Sequence, residues 1–383
     1  MGGESVQTPL LFSRMNTTWI EISRSALKHN IKQFKQLIGP DILLSCCVKG
    51  NAYGHGLIES ARIMINSGVD WLSVNALYEA RELRETGVTA PIYIMGYVPL
   101  EDLHEIPDLD ARLVVYNMET LKRLEEIGRE IKVHLKLETG NNRQGIRDED
   151  LPAVKNFLAN TKFVQLEGAT THFANIEDTL DHSFAMSQLE KFNEMTADLD
   201  IKIKHCANSA ATILFKKTHF DMVRVGIGVY GMWPSPETRV SVERETNREI
   251  ELKPVITWKT IIAQVKNVPS GEYIGYGCTC RVNRDSRVAV LPVGYYDGYD
   301  RSLSGRAHVL IHGKRAPLLG RVCMNMIMVD VTDIPESKLE DEATLLGRQG
   351  EEKITAEQMG EWASTINYEI TTRINERIPR VLA

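Results

Sequence analysis

No apolar run in this 383-residue chain approaches the length needed to cross a membrane. The first residues, MGGESVQTPLLFSR, hold no basic n-region and only a four-residue apolar patch, so no signal peptide is read there. Basic tracts are missing too: 45 Lys and Arg stand against 51 Asp and Glu, a net charge of −6. That balance favours solubility and offers no electrostatic footprint for nucleic acid or a membrane surface. Cysteine is sparse, with Cys46, Cys47, Cys206, Cys278, Cys280 and Cys323 making six. Most lie in apolar, strand-like runs. Without an export signal they read as reduced, buried thiols of a cytoplasmic protein. Cys278 and Cys280 form a CxC, but no second Cys or His pair follows nearby, so no metal is expected. Low-complexity segments and short repeats are absent. What remains, 43% apolar and 25% charged, is a globular composition with length for two domains.

Strand-like and helix-like segments alternate through the first two thirds. Strand candidates are 42–48, 71–74, 92–95, 112–115, 132–137, 163–171, 202–206 and 221–229. Amphipathic stretches such as LIESARIMINSG, ALYEARELRETG and METLKRLEEIG lie between them, each ending at Gly as helix C-termini do. Eight such alternations predict a (β/α)8 barrel over 24–249. From about residue 250 the pattern changes to short strands joined by Gly, Asn and Pro turns. This predicts a mostly-β domain over 250–383, with the strand-like 17–23 pairing onto it.

One stretch stands out, VKGNAYGHG at 48–56. Lys49 closes an apolar run and faces a loop too glycine-rich to shield it. A lysine is rarely buried without a partner, and desolvated lysines serve as bases and imine formers. The plain alternative is a strand-end lysine whose head reaches water. In barrels of this kind the chemistry sits at the C-terminal ends of the strands. THFAN (171–175), HCANSAA (205–211) and RVGIGVYG (224–231) fall at such ends. Ser209 and nearby backbone N–H groups suit an anion, and Gly226 permits close approach. A lysine opposite a phosphate cradle is what covalently held pyridoxal phosphate requires. Singly, His172 reads first as a hydrogen-bonded core histidine and Arg224 as the partner of a stray carboxylate; together at strand ends they are harder to read that way.

The motifs VKGNAYGHG, VHLKLETGNNRQG, THFAN, HCANSAA, DMVRVGIGVYG, YIGYGCT, VLPVGYYDGYDR, GRVCMNMIMVD and INYEITTRI occur in the order of bacterial alanine racemases, which the chain resembles over nearly its whole length. The resemblance implies a pyridoxal 5'-phosphate enzyme that interconverts L- and D-alanine for peptidoglycan, as a homodimer with shared sites. It implies that Lys49 carries the cofactor and that Tyr276 is the second base. Arg224 is assigned to the pyridine nitrogen. Tyr53, Ser209, Gly226, Ile227 and Tyr368 are assigned to the phosphate. His172 flanks the ring, and Asn208 lies beside it. Arg143 meets the cofactor hydroxyl and the substrate carboxylate, and Lys136 is the carbamylated lysine that orients it. Tyr295 and Met324 approach from the other subunit.

The residue types suit this chemistry. Racemisation takes Hα from one face of a planar carbanion and returns a proton to the other, so two bases on opposite faces serve it. A tyrosine of ordinary pKa, about 10, is a poor base and needs positive charge or hydrogen-bond donors nearby. An arginine keeps its own proton, so a pyridine nitrogen beside it stays unprotonated and side reactions are limited. Asn141, Val225, Tyr296 and Asn325 depart from the residues common in the family, and Asn325 removes a negative charge. A racemase of serine or another amino acid on the same scaffold remains the alternative. A basic amino-acid decarboxylase gives no role to Tyr276, and a non-catalytic cofactor carrier gives none to residues 250–383.

Overall fold

In a computed structural model the structure describes residues 16–245 and 249–383. They form two compact units. One comprises Leu27–Ala52 and Leu57–Lys253. The other gathers the described residues up to Ala26, the short piece Tyr53–Gly56 and Pro254–Ala383.

The first strand, β1 (Thr18–Ile22), belongs to the second of these units. The first unit is built on eight parallel strands: β2 (Leu43–Cys47), β3 (Trp71–Val74), β4 (Ile92–Ile94), β5 (Ala111–Val115), β6 (Ile131–Lys136), β7 (Val164–Thr170), β8 (Ile203–His205) and β9 (Met222–Val225). Their spatial order is β8-β7-β6-β5-β4-β3-β2-β9. The expected barrel is therefore present and nearly closed. Its seam lies between β8 and β9, bridged by Asp221 N–H to the Lys204 carbonyl at 3.1 Å and Arg224 N–H to the Ala207 carbonyl at 2.9 Å. Helices α1 (Arg24–Ile38), α2 (Leu57–Ile65), α3 (Leu77–Glu85), α4 (Met118–Ile127), α5 (Leu151–Asn160), α6 (Ser183–Thr196), α7 (Ser209–Leu214) and α8 (Pro236–Glu245) occupy the crossovers and the end of the barrel segment. Helix α4 shows why they form. The Asn117 side chain accepts from Thr120 N–H at 2.8 Å, Leu121 and Leu124 are buried three residues apart, and Gly128 ends the helix at φ 70°. Trp71, Tyr93, Val114, Ile203 and Met222 form a buried cluster against which His134 and His205 stack.

The second unit is mostly β, as expected. Its main sheet runs β11 (Gln264–Val268), β14 (Ser286–Leu291), β17 (Ile327–Asp330), β16 (Lys314–Leu319), β15 (His308–Ile311), β18 (Glu342–Gln349), β10 (Ile256–Ile261), β1, β20 (Arg380–Leu382), with β19 (Glu352–Ile354) on β18. Strands β12 (Tyr273–Ile274) and β13 (Cys280–Arg281) form a separate pair. Strand β1 pairs antiparallel with β10 and parallel with β20. Trp258 and Tyr299 fill the core edge to face, ring centroids 5.9 Å apart. Helices α9 (Ala356–Ala363) and α10 (Asn367–Thr372) precede β20.

Two expectations need correction, and one strand has no counterpart in the sequence pattern. The strand read over 221–229 ends at Val225, because Gly226 leaves β geometry and Ile227–Tyr230 tighten into a 3₁₀ turn. Strand β18 was not foreseen: Gly347 at φ 124° and a polar end interrupt its alternation. Cys278 is exposed rather than buried, lifted out by its own positive φ of 47° in a turn beside Gly277. Among the described residues no helix is long and apolar enough to cross a membrane.

Candidate active site

Strand β2 stops at Cys47, so Lys49 does not end it but opens a turn. Gly50, Asn51, Ala52 and Tyr53 follow with φ of 61°, 53°, 52° and 55°, a left-handed turn. Each non-glycine residue there costs about 1–2 kcal/mol, so the surroundings must hold it. Ala52 N–H reaches the Val48 carbonyl at 2.8 Å, and the Asn51 side chain accepts from Leu57 N–H at 2.8 Å, starting α2. Glu79, buried on α3, accepts from Gly50 N–H at 2.7 Å through one carboxylate oxygen. Its other oxygen accepts from Asn75 and Ala76 N–H at 2.8 and 3.0 Å. The carboxylate that caps α3 thus also anchors the residue next to Lys49.

Arg224 is buried on β9. Its Nη1 donates to Thr170 Oγ1 at 2.9 Å, to the His205 carbonyl at 3.0 Å and to His205 Nδ1. Nη2 donates to the Thr171 and Cys206 carbonyls at 3.0 and 3.4 Å. These five bonds use both terminal nitrogens and leave Nε–H as the remaining donor. Ser209 Oγ, buried at the start of α7, accepts from Gly226 and Gly228 N–H at 3.0 and 3.3 Å. Its own proton stays available to an anion. Asn208 does not point free: its Oδ1 caps α7 through Ala211 N–H at 2.9 Å and its Nδ2 donates to Glu177 at 2.6 Å. Ile227 is buried at the first position of the following 3₁₀ turn.

The strand ends collect cations. Lys136 closes β6, buried, and its side chain has no hydrogen bond or ion pair among the described residues. Burial, then the Arg224 and Arg143 charges, hold its ammonium well below the usual lysine range, against a smaller pull from Glu138. Glu138 itself accepts from Gly140 N–H at 2.5 Å. His172 follows β7, and burial together with Lys136, Arg224, Arg143 and Lys49 holds it neutral, well below its ordinary pKa. One histidine therefore feels four cations, with Glu138 the acidic group acting on Lys136. Arg143 lies exposed on the loop after β6.

In the other unit, Tyr276 sits on a 3₁₀ turn between Gly275 at φ 73° and Gly277 at φ 74°, and is 72% exposed. Tyr295 and Met324 are also exposed. Their loops are tied by Tyr295 N–H to the Cys323 carbonyl and Tyr296 N–H to the Met324 carbonyl, both at 3.0 Å. Gly294 makes this approach possible: a Cβ there would lie 2.2 Å from the Cys323 carbonyl oxygen. The rings of Tyr53 and Tyr368, on α10, face each other with centroids 6.1 Å apart.

Sequence reading gave no role to Glu79, His134, Glu167 or His205. His205 and His134 lie inside HCANSAA and VHLKLETG, on strands buried on both faces. Nothing local marked their contact, which spans 71 residues of chain.

A (β/α)8 barrel with basic side chains at its strand ends, joined in one chain to a mostly-β unit, is the architecture of a barrel enzyme whose site lies at the C-terminal ends of the strands. Residues 22–234 match the family model for the alanine racemase N-terminal domain, and residues 255–382 that for the alanine racemase C-terminal domain. The alanine racemase of Leptospira interrogans is 39% identical over 373 residues, covering 96% of each chain. That of Halothermothrix orenii is 41% identical over 372 residues, covering 95% of this chain and 96% of the other. The crystal structure of alanine racemase from Bacillus anthracis with bound L-Ala-P superposes with a TM-score of 0.89 at 35% identity, covering 96% and 95%. The chain belongs to the alanine racemase family.

Proposed function

We propose that this chain interconverts L- and D-alanine in the cytoplasm, with pyridoxal 5'-phosphate as cofactor, as a homodimer supplying D-alanine for peptidoglycan. The observation that carries the reading is the basic mouth: Lys49, Arg143 and Arg224 act on a neutral His172 beside the buried Lys136. Such a cluster suits a phosphate and a substrate carboxylate together. The residues present fit the cofactor. Ser209 Oγ, held by the Gly226 and Gly228 N–H groups, has a proton to donate, and Arg224 keeps Nε–H for a ring nitrogen. Tyr53, Tyr368 and Ile227 are assigned to the same phosphate by the resemblance.

Pyridoxal phosphate, bonded to the substrate amine, would draw the electron pair of the Cα–H bond into its ring. Lys49 Nζ and Tyr276 Oη are the two bases. One takes Hα from its face of Cα while the other returns a proton to the opposite face, and their roles exchange for the reverse reaction. Arg224 holds its proton and donates only a hydrogen bond. His172 remains neutral beside the ring.

Lys136 as a bare ammonium has two arginines acting on it against a smaller pull from Glu138. As a neutral amine it adds carbon dioxide, forming the N–C bond and releasing one proton, and the resulting carbamate is an anion that accepts from Arg143. The exposure of Tyr276, Tyr295 and Met324 supports their completing a partner subunit's site. We assign the two working halves to 24–249 and 250–383.

The test is direct. Purified chain is incubated with each L-amino acid and cofactor, and products are resolved by chiral chromatography. D-alanine as the main product supports the proposal. D-serine formed faster than D-alanine replaces it with the alternative.

A further inference from the structure

Arg224 is the first member of a line of bonded side chains running into the barrel. His205 accepts from Arg224 at Nδ1, and its Nε2 lies 2.7 Å from His134 Nδ1. His134 Nε2 lies 3.2 Å from Glu167 Oε2, which also accepts from Arg112 Nε at 3.2 Å. Both histidines are fully buried, and Tyr93 packs against each ring. Glu167 lies on β7, three residues deeper than Thr170, which itself bonds Arg224.

The two ends of this line decide its protons. A guanidinium only donates and a carboxylate only accepts. His205 Nδ1 must therefore be a bare acceptor, which puts its proton on Nε2. That proton points at His134 Nδ1, so His134 in turn carries its proton on Nε2 and gives it to Glu167. No other neutral arrangement satisfies every bond. Burial keeps both rings neutral: His205 lies well below its ordinary pKa, with Arg224 adding to the effect, and His134 is lowered despite the pull of Glu167. Arg112, stacked over Trp71 at 5.1 Å, and Lys132, 3.9 Å away, help to keep Glu167 ionised.

We propose that Glu167 is a positioning residue of the racemase site: through His134 and His205 it fixes the single proton arrangement that keeps Arg224 bonded at the barrel mouth. If His205 carried its proton on Nδ1, an N–H would face the arginine N–H and push the guanidinium out of place. The carboxylate thus acts on Arg224 through two imidazoles without touching the reacting atoms. The kinetic part rests on the racemase reading; the proton arrangement does not.

The test uses the full enzyme with its cofactor, labelled with 15N in histidine. Signals of His134 and His205 are assigned with His134→Gln and His205→Gln. The wild type should show both rings neutral and protonated on Nε2 at about pH 7 to 8. Glu167→Gln offers an acceptor oxygen to His134, so it should retain both tautomers and keep kcat within about threefold. Glu167→Ala frees His134 to change tautomer; both rings should become mixtures, and kcat should fall about tenfold or more with KM little changed. A wild-type ring protonated on Nδ1, or on both nitrogens, overturns the proposal, as does Glu167→Ala with unmixed tautomers and normal kcat. If Glu167→Ala fails to fold, the wild-type and Glu167→Gln spectra still decide. The expected tautomers in an enzyme that does not racemise alanine would keep this assignment and remove the racemase reading.

Discussion

Gly50 opens the left-handed turn after Lys49 and Gly54 follows it, and alanine at each should have very different effects. Both have positive φ, 61° and 86°. Putting alanine into that region costs about 1 kcal/mol at either position. At Gly50 nothing lies within 4 Å of the added Cβ. At Gly54 the Cβ would lie 2.0 Å from the Thr371 carbonyl oxygen and 2.8 Å from its carbon. A carbon and an oxygen rest at about 3.3 Å, so the α10 backbone must retreat by more than an ångström. Overpacking of this kind adds roughly 1–3 kcal/mol, giving about 2–4 kcal/mol for Gly54→Ala against about 1 kcal/mol for Gly50→Ala. At about 2–4 °C per kcal/mol for a unit of this size, Tm should fall by about 2–4 °C for Gly50→Ala and about 5–15 °C for Gly54→Ala. Scanning calorimetry of the two variants side by side reads the difference. Equal shifts would refute the idea that contact with Thr371, rather than φ, sets the requirement at Gly54.

Other tests address the site. Enzyme equilibrated with 13C-bicarbonate should carry a carbamate carbon that Lys136→Gln lacks; because the neutral amine is the reactive form, the signal should hold above the lowered lysine pKa and disappear on acidification. A missing signal in the wild type would remove the carbamate. Lys49→Ala and Tyr276→Phe should each be nearly inactive, yet co-refolding equal amounts should restore roughly a quarter of wild-type activity, since half the dimers are mixed and half their sites whole. Mixed dimers without activity would exclude a shared site. Glu79→Gln weakens the acceptor of three backbone N–H groups, including that of Gly50, and should cost about 1–3 kcal/mol in a denaturant titration. An unchanged midpoint would show that the turn does not rely on that carboxylate.

The barrel was legible because its strands are buried on both faces and its helices are not. Runs such as WLSV and RLVV alternate with amphipathic stretches that end at Gly, and that contrast survives without tertiary context. Lys49 stood out for a related reason, as a charge where apolar sequence stops. The left-handed turn after it did not, since Ala52 and Tyr53 have no intrinsic preference for positive φ. The turn is held by bonds made far from any local signal in the sequence: Gly50 to Glu79, Ala52 to Val48 and Asn51 to Leu57. The same holds for the line from Arg224 to Glu167. Its members come from four strands or their ends, and a lone buried histidine reads the same whether it fills space or passes on a hydrogen bond. Strand β18 was missed because its pattern is only partly alternating, and its place between β15 and β10 comes from sheet pairing.

The barrel's seam has a consequence for engineering this scaffold. Strands β8 and β9 share no ladder, and the gap is spanned partly by the Arg224 backbone and partly by its guanidinium on the His205 and Cys206 carbonyls. The same residue is therefore a clasp on the cylinder and the group assigned to the cofactor nitrogen. Redirecting the reaction by exchanging it for a carboxylate would turn a donor into an acceptor facing those carbonyls. The ring's electronics and the closure of the fold would change together. A new chemistry at this position calls for a second substitution elsewhere along β8 that refastens the seam.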